Sequence, residues 1–271
     1  MDRCSALALI AAFSLAGALA KPAAADTVLI TGANSGLGLE LVKQYAAKGW
    51  TVIATHRRDG VPESLQPVVA EHANVRVERM DVSSIDEVHA LAAKLAGTPI
   101  DVLINNAGIY SDRAACADEA CRGVDSTQTF GMLDYELFDE IMAVNVRGPL
   151  LVSEAFAENV RASRQKKMVS ISSTNGSVTF TLGGSGAIAY RASKAALNRE
   201  MQLVAVHEKS VGVTVLLLHP GAVLTERQAH LTYPGMIEMQ PSVAGMIEQI
   251  EKATLADTGR FIQYDGTTAP W

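Results

Sequence analysis

The chain has 271 residues, 48% of them hydrophobic and 19% charged, with a formal net charge of -6. That is enough apolar material for one large core, and α/β domains of such a size are common. The acidic balance and the lack of any basic block exclude the electrostatic footprint of a nucleic-acid binder.

The first residues stand apart from the rest. Met1-Asp2-Arg3 precedes an apolar run from Cys4 to Ala20, and Lys21-Pro22-Ala23-Ala24-Ala25 follows it. Small-x-small sites ending at Ala20 or Ala25 suit signal peptidase, so residues 1–25 read as a secretory signal peptide. The run is short for a full span, which needs about 20 residues. The leader predicts export to the periplasm; an uncleaved anchor or a misplaced start would leave the protein in or facing the cytoplasm. Residues 26–271 read as one domain, with no Pro/Gly linker dividing them.

From residue 27 onward, short apolar runs alternate with amphipathic segments. Strands are predicted at 27–30, 51–55, 75–80, 101–104, 168–171, 213–218 and 260–262. Helices are predicted at 36–48, 85–95, 135–160, from Tyr190 onward, and at 243–253. This alternation predicts βαβ units in a doubly wound parallel sheet with helices on both faces, a Rossmann-type α/β domain. The wholly apolar runs Val28-Leu29-Ile30 and Val102-Leu103-Ile104 suit strands covered on both sides.

Between the first strand and the first helix lies Thr31-Gly32-Ala33-Asn34-Ser35-Gly36-Leu37-Gly38. A glycine-rich turn here lets the backbone approach a pyrophosphate, which then sits on a helix N-terminus. The second strand ends in Thr55-His56-Arg57-Arg58, with no acid to grip a ribose 2′-hydroxyl. Two arginines favour a 2′-phosphate, hence NADP, with NAD as the alternative. Further on, Tyr190 and Lys194 are spaced to share one face of a helix. A cation beside a phenol favours the phenolate, so Lys194 is expected to bring the Tyr190 pKa down toward neutrality, where it serves as an acid or base.

These motifs, together with Asp81-Val82, Asn105-Asn106-Ala107-Gly108, Asn145, Ile171-Ser172-Ser173 and Pro220-Gly221, occur in the order of short-chain dehydrogenases/reductases. The chain resembles that family over residues 27–271. Its ending, Tyr264-Asp265-Gly266 to Pro270-Trp271, is most similar to the C-factor and sniffer-type carbonyl reductase branch. The resemblance implies hydride transfer between NADP(H) and a carbonyl or alcohol. It makes Tyr190 the acid/base, Ser173 the group that orients the carbonyl (Ser172 being the fallback), and Lys194 a partner of both Tyr190 and the cofactor. Asn145 would hold a water that relays protons toward Lys194. It places Thr31, Gly32, Asn34, Ser35, Gly36, Leu37, Gly38, Arg57, Asp81, Val82, Asn105, Ala107, Gly108, Pro220, Gly221 and Thr225 around the cofactor. A homo-dimer or tetramer is also implied.

Other chemistries lack their motifs. The six histidines form no HExxH and the three cysteines no CxxC, so no metal site is predicted. Cys116 and Cys121 share one polar stretch, either bridged in an oxidising compartment or two free loop thiols. The loops at 182–188 and 222–240 are expected to select the substrate, and Leu224, Leu231, Tyr233, Met236 and Met239 point to an apolar carbonyl compound. A second reading, from another class, is a non-catalytic dinucleotide-binding module acting in signalling.

Overall fold

The computed structural model describes residues 25–110, 126–179, 186–224 and 235–271. Residues 1–24 of the leader, Cys116 and Cys121, residues 182–185 and residues 225–234, Thr225, Leu231 and Tyr233 among them, lie outside the described residues.

All seven predicted strands form. They are β1 (Thr27–Ile30), β2 (Thr51–His56), β3 (Val75–Arg79), β4 (Val102–Asn105), β5 (Lys167–Ile171), β6 (Thr214–His219) and β7 (Phe261–Gln263). They make one sheet in the order β3-β2-β1-β4-β5-β6-β7, every neighbouring pair parallel. The order reverses between β1 and β4. A crevice opens at such a switch, beyond the carboxyl ends of the strands.

Successive strand residues face opposite sides, so each strand feeds two cores. Val28 and Ile30 pack with Leu41, Val42 and Tyr45 of α1 (Gly36–Ala47) and with Met246 and Ile250 of α8 (Met239–Lys252). Leu29 faces the other way, among Val88 and Leu91 of α3 (Ile85–Lys94) and Leu197 and Met201 of α7 (Ile188–Glu208). A short α2 (Gln66–Glu71), with proline in its first turn, was not expected from periodicity. No described helix is long and apolar enough to cross a membrane.

The long helix predicted from Tyr135 toward Val160 is instead broken. It divides into α4 (Tyr135–Met142), a π-helical turn (Ala143–Arg147), α5 (Gly148–Ala155) and α6 (Ala157–Arg161). The cause is legible in Pro149. A proline has no N–H for the carbonyl four residues back, which belongs to Asn145, and its ring crowds that carbonyl. The Gly148 N–H reaches back to the Ala143 carbonyl, the wider spacing of a π turn. Asn145 thus sits in an irregularity of the kind often found at functional sites.

The glycine turn after β1 is stitched to the end of β4. Thr31 Oγ1 accepts the N–H groups of Asn106 and Ala107, both at 3.0 Å. Asn106 Nδ2 donates to the Thr31 carbonyl at 2.8 Å and the Gly32 carbonyl at 3.2 Å. Gly38 lies against this stitch: a Cβ there would overlap the Gly32 carbonyl and come within 2.5 Å of Asn106 Nδ2. Gly38→Ala is therefore expected to destabilise the fold by about 1–3 kcal/mol, the cost of overpacking, measured as a fall in the urea midpoint. An unchanged midpoint would show that the stitch yields freely.

Candidate active site

The carboxyl end of β5, the π turn and the start of α7 converge. Ile171 ends β5, Ser173 caps a 3-10 turn (Thr174–Gly176), and its hydroxyl accepts the Asn175 N–H at 3.1 Å. The turn is seated directly on α7. A Cβ on Gly176 would lie 2.5 Å from the Lys194 carbonyl carbon and 2.8 Å from the Ala195 nitrogen, so only glycine permits this approach. The Ser173 side chain is thereby brought into hydrogen bonding with Tyr190. Both serines are buried, but Ser172 donates to Asn198 Oδ1. Of the two serines, Ser173 is the one that interacts with Tyr190.

Lys194 is buried and donates to the Ile171 carbonyl at 2.9 Å; its ammonium is 5.8 Å from the Tyr190 ring centre. Asn145 is fully buried. Its Oδ1 accepts the Ile109 N–H at 2.8 Å, and its Nδ2 donates to the Ile109 carbonyl at 2.8 Å and to Ser193 Oγ at 3.1 Å. Ser193 Oγ donates in turn to the Tyr190 carbonyl at 2.7 Å. The Asn145 side chain is thus a tie between the loop after β4 and the Tyr190–Lys194 stretch of α7, with both of its ends in use.

The electrostatics differ from the expectation that Lys194 acidifies Tyr190. Burial raises the Tyr190 phenol to about 12, the Ser173 hydrogen bond only partly opposing it. Burial also lowers the Lys194 ammonium to about 8. Desolvation disfavours both charged forms and is the leading cause of both shifts. At neutral pH the phenol is protonated and the ammonium is mostly charged.

On the cofactor side, Ser35 makes no side-chain cap on α1, and no acid stands in its first turn. The first N–H groups of α1 are therefore left for an anion. Gly36, with φ +53°, would meet nothing within 4 Å if it carried a Cβ, so the space before α1 is open. Asn34 and Leu37 are part of the same turn, the Asn34 carbonyl accepting from Ser64 Oγ at 2.7 Å. The Ala33 N–H donates to the Thr55 carbonyl at 2.8 Å, which brings the end of β2 alongside. Arg57 there is exposed and holds Glu140 at only 3.7 Å. Asp81 uses Oδ1 for both the Ser83 amide and its hydroxyl. Gly108 lies beside the tie, its Cβ position 3.3 Å from Asn145 Oδ1 and 3.8 Å from the Lys194 ammonium.

Several proposed cofactor residues act differently. The side chain of Thr31 is spent on the stitch. Asn105 is buried and donates to Ser153 Oγ of α5 at 2.9 Å. Val82 is core. Thr31 and Val82 keep only their backbone for a ligand, while the buried Oδ1 of Asn105 has no hydrogen-bond partner among the described residues. Pro220 accepts Ser242 Oγ at 2.6 Å, and Gly221 is packed under Tyr264 and Ile237. Leu224 and Met239 line a cavity of about 250 Å³ with Gly36, Leu39 and Lys43. They stand at the start of α1. His219 contacts Thr174 Oγ1 through Nε2 at 3.3 Å, and burial holds it down to about 4, so it is neutral and only a weak base.

The family model described as short chain dehydrogenase matches residues 26–233. The chain belongs to the short chain dehydrogenase family. Among its relatives, the 1-hydroxy-2-glutathionyl-2-methyl-3-butene dehydrogenase of Rhodococcus sp. (strain AD45) is 33% identical, covering 91% of this chain and 100% of that protein. The C-signal protein of Myxococcus xanthus is also 33% identical, over 68% of this chain and all of its own length. The NADPH-bound carbonyl reductase from chicken fatty liver superposes with a TM-score of 0.80 at 28% identity, covering 91% of this chain and 99% of that one. The Drosophila melanogaster carbonyl reductase Sniffer gives 0.73 at 25% identity, covering 91% and 100%.

Within this family frame, one residue that motif reading missed is Gln128. It is fully buried, accepts the Tyr190 N–H through Oε1 at 2.9 Å, and donates to the Tyr110 carbonyl. The first turn of α7, which begins after Ala187 without a side-chain cap of its own, is thus capped from a distant segment. Tyr110 in turn lays its ring 4.7 Å from that of Tyr190. The polar composition around Gln128 gave no signal of this. Gln128→Leu is expected to lower kcat for reduction roughly tenfold, the scale of one or two buried hydrogen bonds, with the cofactor KM unchanged. A wild-type kcat would show that the cap does not hold Tyr190.

Proposed function

We propose that the protein is an NADP(H)-dependent carbonyl reductase or alcohol dehydrogenase in which Tyr190 is the acid/base. The observation that carries this is the convergence of the Ser173 hydroxyl, the Tyr190 phenol and the Lys194 ammonium at the mouth of the crevice, braced by Asn145. A cofactor fits the residues present: the uncapped N-terminus of α1 and the open space at Gly36 suit a pyrophosphate. Arg57, at the end of β2, suits a 2′-phosphate, and Asp81, with the backbone beside it, suits the adenine. NADPH is bound in the carbonyl reductase from chicken fatty liver, which supports the same choice here. When bound, the nicotinamide supplies the hydride.

The side chains supply the rest. Reduction of a carbonyl builds negative charge on its oxygen, and two hydroxyls aimed there stabilise it. Ser173 orients the oxygen by hydrogen bonding. Tyr190, held protonated by burial, gives up its proton to it. The Lys194 cation stabilises the phenolate left behind, and Asn145 with Ser193 keeps that stretch of α7 from shifting. The Tyr110 ring covers one side of Tyr190, and Val178, just past the Ser173 turn, is 83% exposed. An aromatic ring against Tyr190 and an exposed apolar side chain close in sequence to the Ser173 turn favour an apolar ketone, aldehyde or quinone.

The similarity to C-signal favours a second reading, a non-catalytic module that binds the cofactor and signals. An intact Ser173, Tyr190 and Lys194 set argues for catalysis. Purified protein is expected to oxidise NADPH faster than NADH with apolar carbonyls, and Tyr190→Phe to lower kcat by about 10²–10⁴-fold, the usual contribution of a general acid. Cofactor binding without turnover of any ketone, aldehyde or quinone would favour the second reading.

The pH dependence has a definite sign. Tyr190 stays protonated up to about 12, so it imposes no limit near neutrality. Lys194 loses its charge as the pH rises through about 8, and with it the stabilisation of the phenolate. The kcat for reduction is expected to fall above pH 8. A flat profile from pH 7 to 10 would remove Lys194 from this role.

A further inference from the structure

The last residues of the chain carry a motif that hydride chemistry does not use. After β7 the chain turns at Asp265 and Gly266, and Asp265 Oδ1 accepts both the Thr267 N–H at 3.0 Å and its hydroxyl at 2.6 Å. The strand then doubles back: Gln263 N donates to the Thr267 carbonyl at 2.8 Å and Ala269 N to the Phe261 carbonyl at 3.0 Å. Ala269 is buried, and the Trp271 ring lies 5.5 Å from that of Phe261, itself a core residue.

This return brings the Trp271 main-chain oxygen to residues 177–179. It accepts the Val178 N–H at 3.0 Å, the Thr179 N–H at 2.8 Å, the Ser177 hydroxyl at 2.7 Å and the Thr179 hydroxyl. Four donors from three consecutive residues close on one oxygen, an arrangement that fixes backbone as an anion nest does. Val178 and Thr179 are exposed, so no packing of their own holds them. The same three residues directly follow the Ser173–Gly176 turn. Upstream that turn is held by β5, and at its middle by Gly176 against Lys194. Its downstream end is held by Trp271.

We propose that Trp271 is a positioning residue: anchored by its ring on Phe261, its main-chain oxygen latches residues 177–179 and so holds the Ser173 hydroxyl in register with Tyr190. This rests on the carbonyl-reductase reading. The latch touches neither the glycine turn after β1 nor the end of β2, so it acts on the carbonyl substrate and leaves the cofactor alone.

The test compares Trp271→Ala with the double variant Ser177→Ala/Thr179→Val, which removes two donors at the surface and leaves the core intact. Both are expected to lose about tenfold in kcat/KM for the carbonyl, the scale of one or two hydrogen bonds, with the NADPH KM within twofold of wild type. Trp271→Phe and Ser177→Thr, which keep the ring contact and the hydroxyl, are expected to retain wild-type values. Carbonyl kcat/KM within twofold of wild type in the double variant would overturn the proposal, as would an equal loss in the NADPH KM. Hydrogen exchange separates the latch from the reading it rests on. The Val178 and Thr179 amides should exchange slowly in the wild type and faster in Trp271→Ala. If the wild-type protein reduces no carbonyl at all, the functional reading fails, and the latch stands or falls on that exchange alone; equal exchange in the two proteins overturns it.

Discussion

The site depends on how closely two stretches of backbone approach. The turn after β5 rests on α7 at Lys194 and Ala195, with the Cα of Gly176 as the point of contact. This single approach sets the height of Ser173 above Tyr190, and a methyl group at position 176 would lift one from the other. Side-chain hydrogen bonds then refine what the backbone has placed. Asn145 ties α7 to the loop after β4, Gln128 caps its first turn, and Lys194 returns to β5 through the Ile171 carbonyl. The three ties come from three separate segments, so no local motion of one loop frees the tyrosine.

The sheet was legible in the sequence because burial on both faces leaves a simple trace, a short apolar run between polar connections. Val28-Leu29-Ile30 and Val102-Leu103-Ile104 carry that trace and became β1 and β4. The glycine turn and the Tyr190–Lys194 pair were legible because their spacing is fixed by local geometry. What escaped depends on contacts distant in the chain. Gln128 reads as one polar residue among many until it is found bonded to Tyr190, 62 positions away. Gly176 resembles any turn glycine until α7 is packed beneath it. Thr31 and Asn105 belong to motifs that point to a ligand, yet their side chains hold the protein together. The break at Asn145 had a local cause in Pro149, which hydrophobic periodicity cannot register.

Tyr264 illustrates why a terminal motif can matter to a distant turn. Its ring lies over Gly221, and its carbonyl approaches Gly245 so closely that a Cβ there would come within 2.5 Å. The Tyr264 N–H also donates to the His219 carbonyl at 2.9 Å. The end of the chain therefore braces the Pro220–Gly221 turn on one side of the crevice. Three residues beyond the Asp265–Gly266 turn the backbone is already against Phe261, and at Trp271 it meets the Ser173 side of the crevice. One short return strand thus touches both walls.

Burial sets the resting electrostatics of the site against its own chemistry. It pushes the phenol of Tyr190 up and the ammonium of Lys194 down, so both side chains lean toward neutrality before any reaction. A phenol near 12 is a reluctant acid by the rule that a catalytic pKa is best matched to the working pH. The reluctance applies to the resting state only. In the proposed reduction, as the proton leaves, the phenolate and the ammonium become a pair in a poorly solvated place, where their attraction counts for more than it would in water. The interaction is weak when Tyr190 is neutral and grows as its charge develops. Stabilisation that appears chiefly in the transition state is the kind that accelerates a step, and the dry setting that raises the phenol also strengthens the pairing that later offsets it.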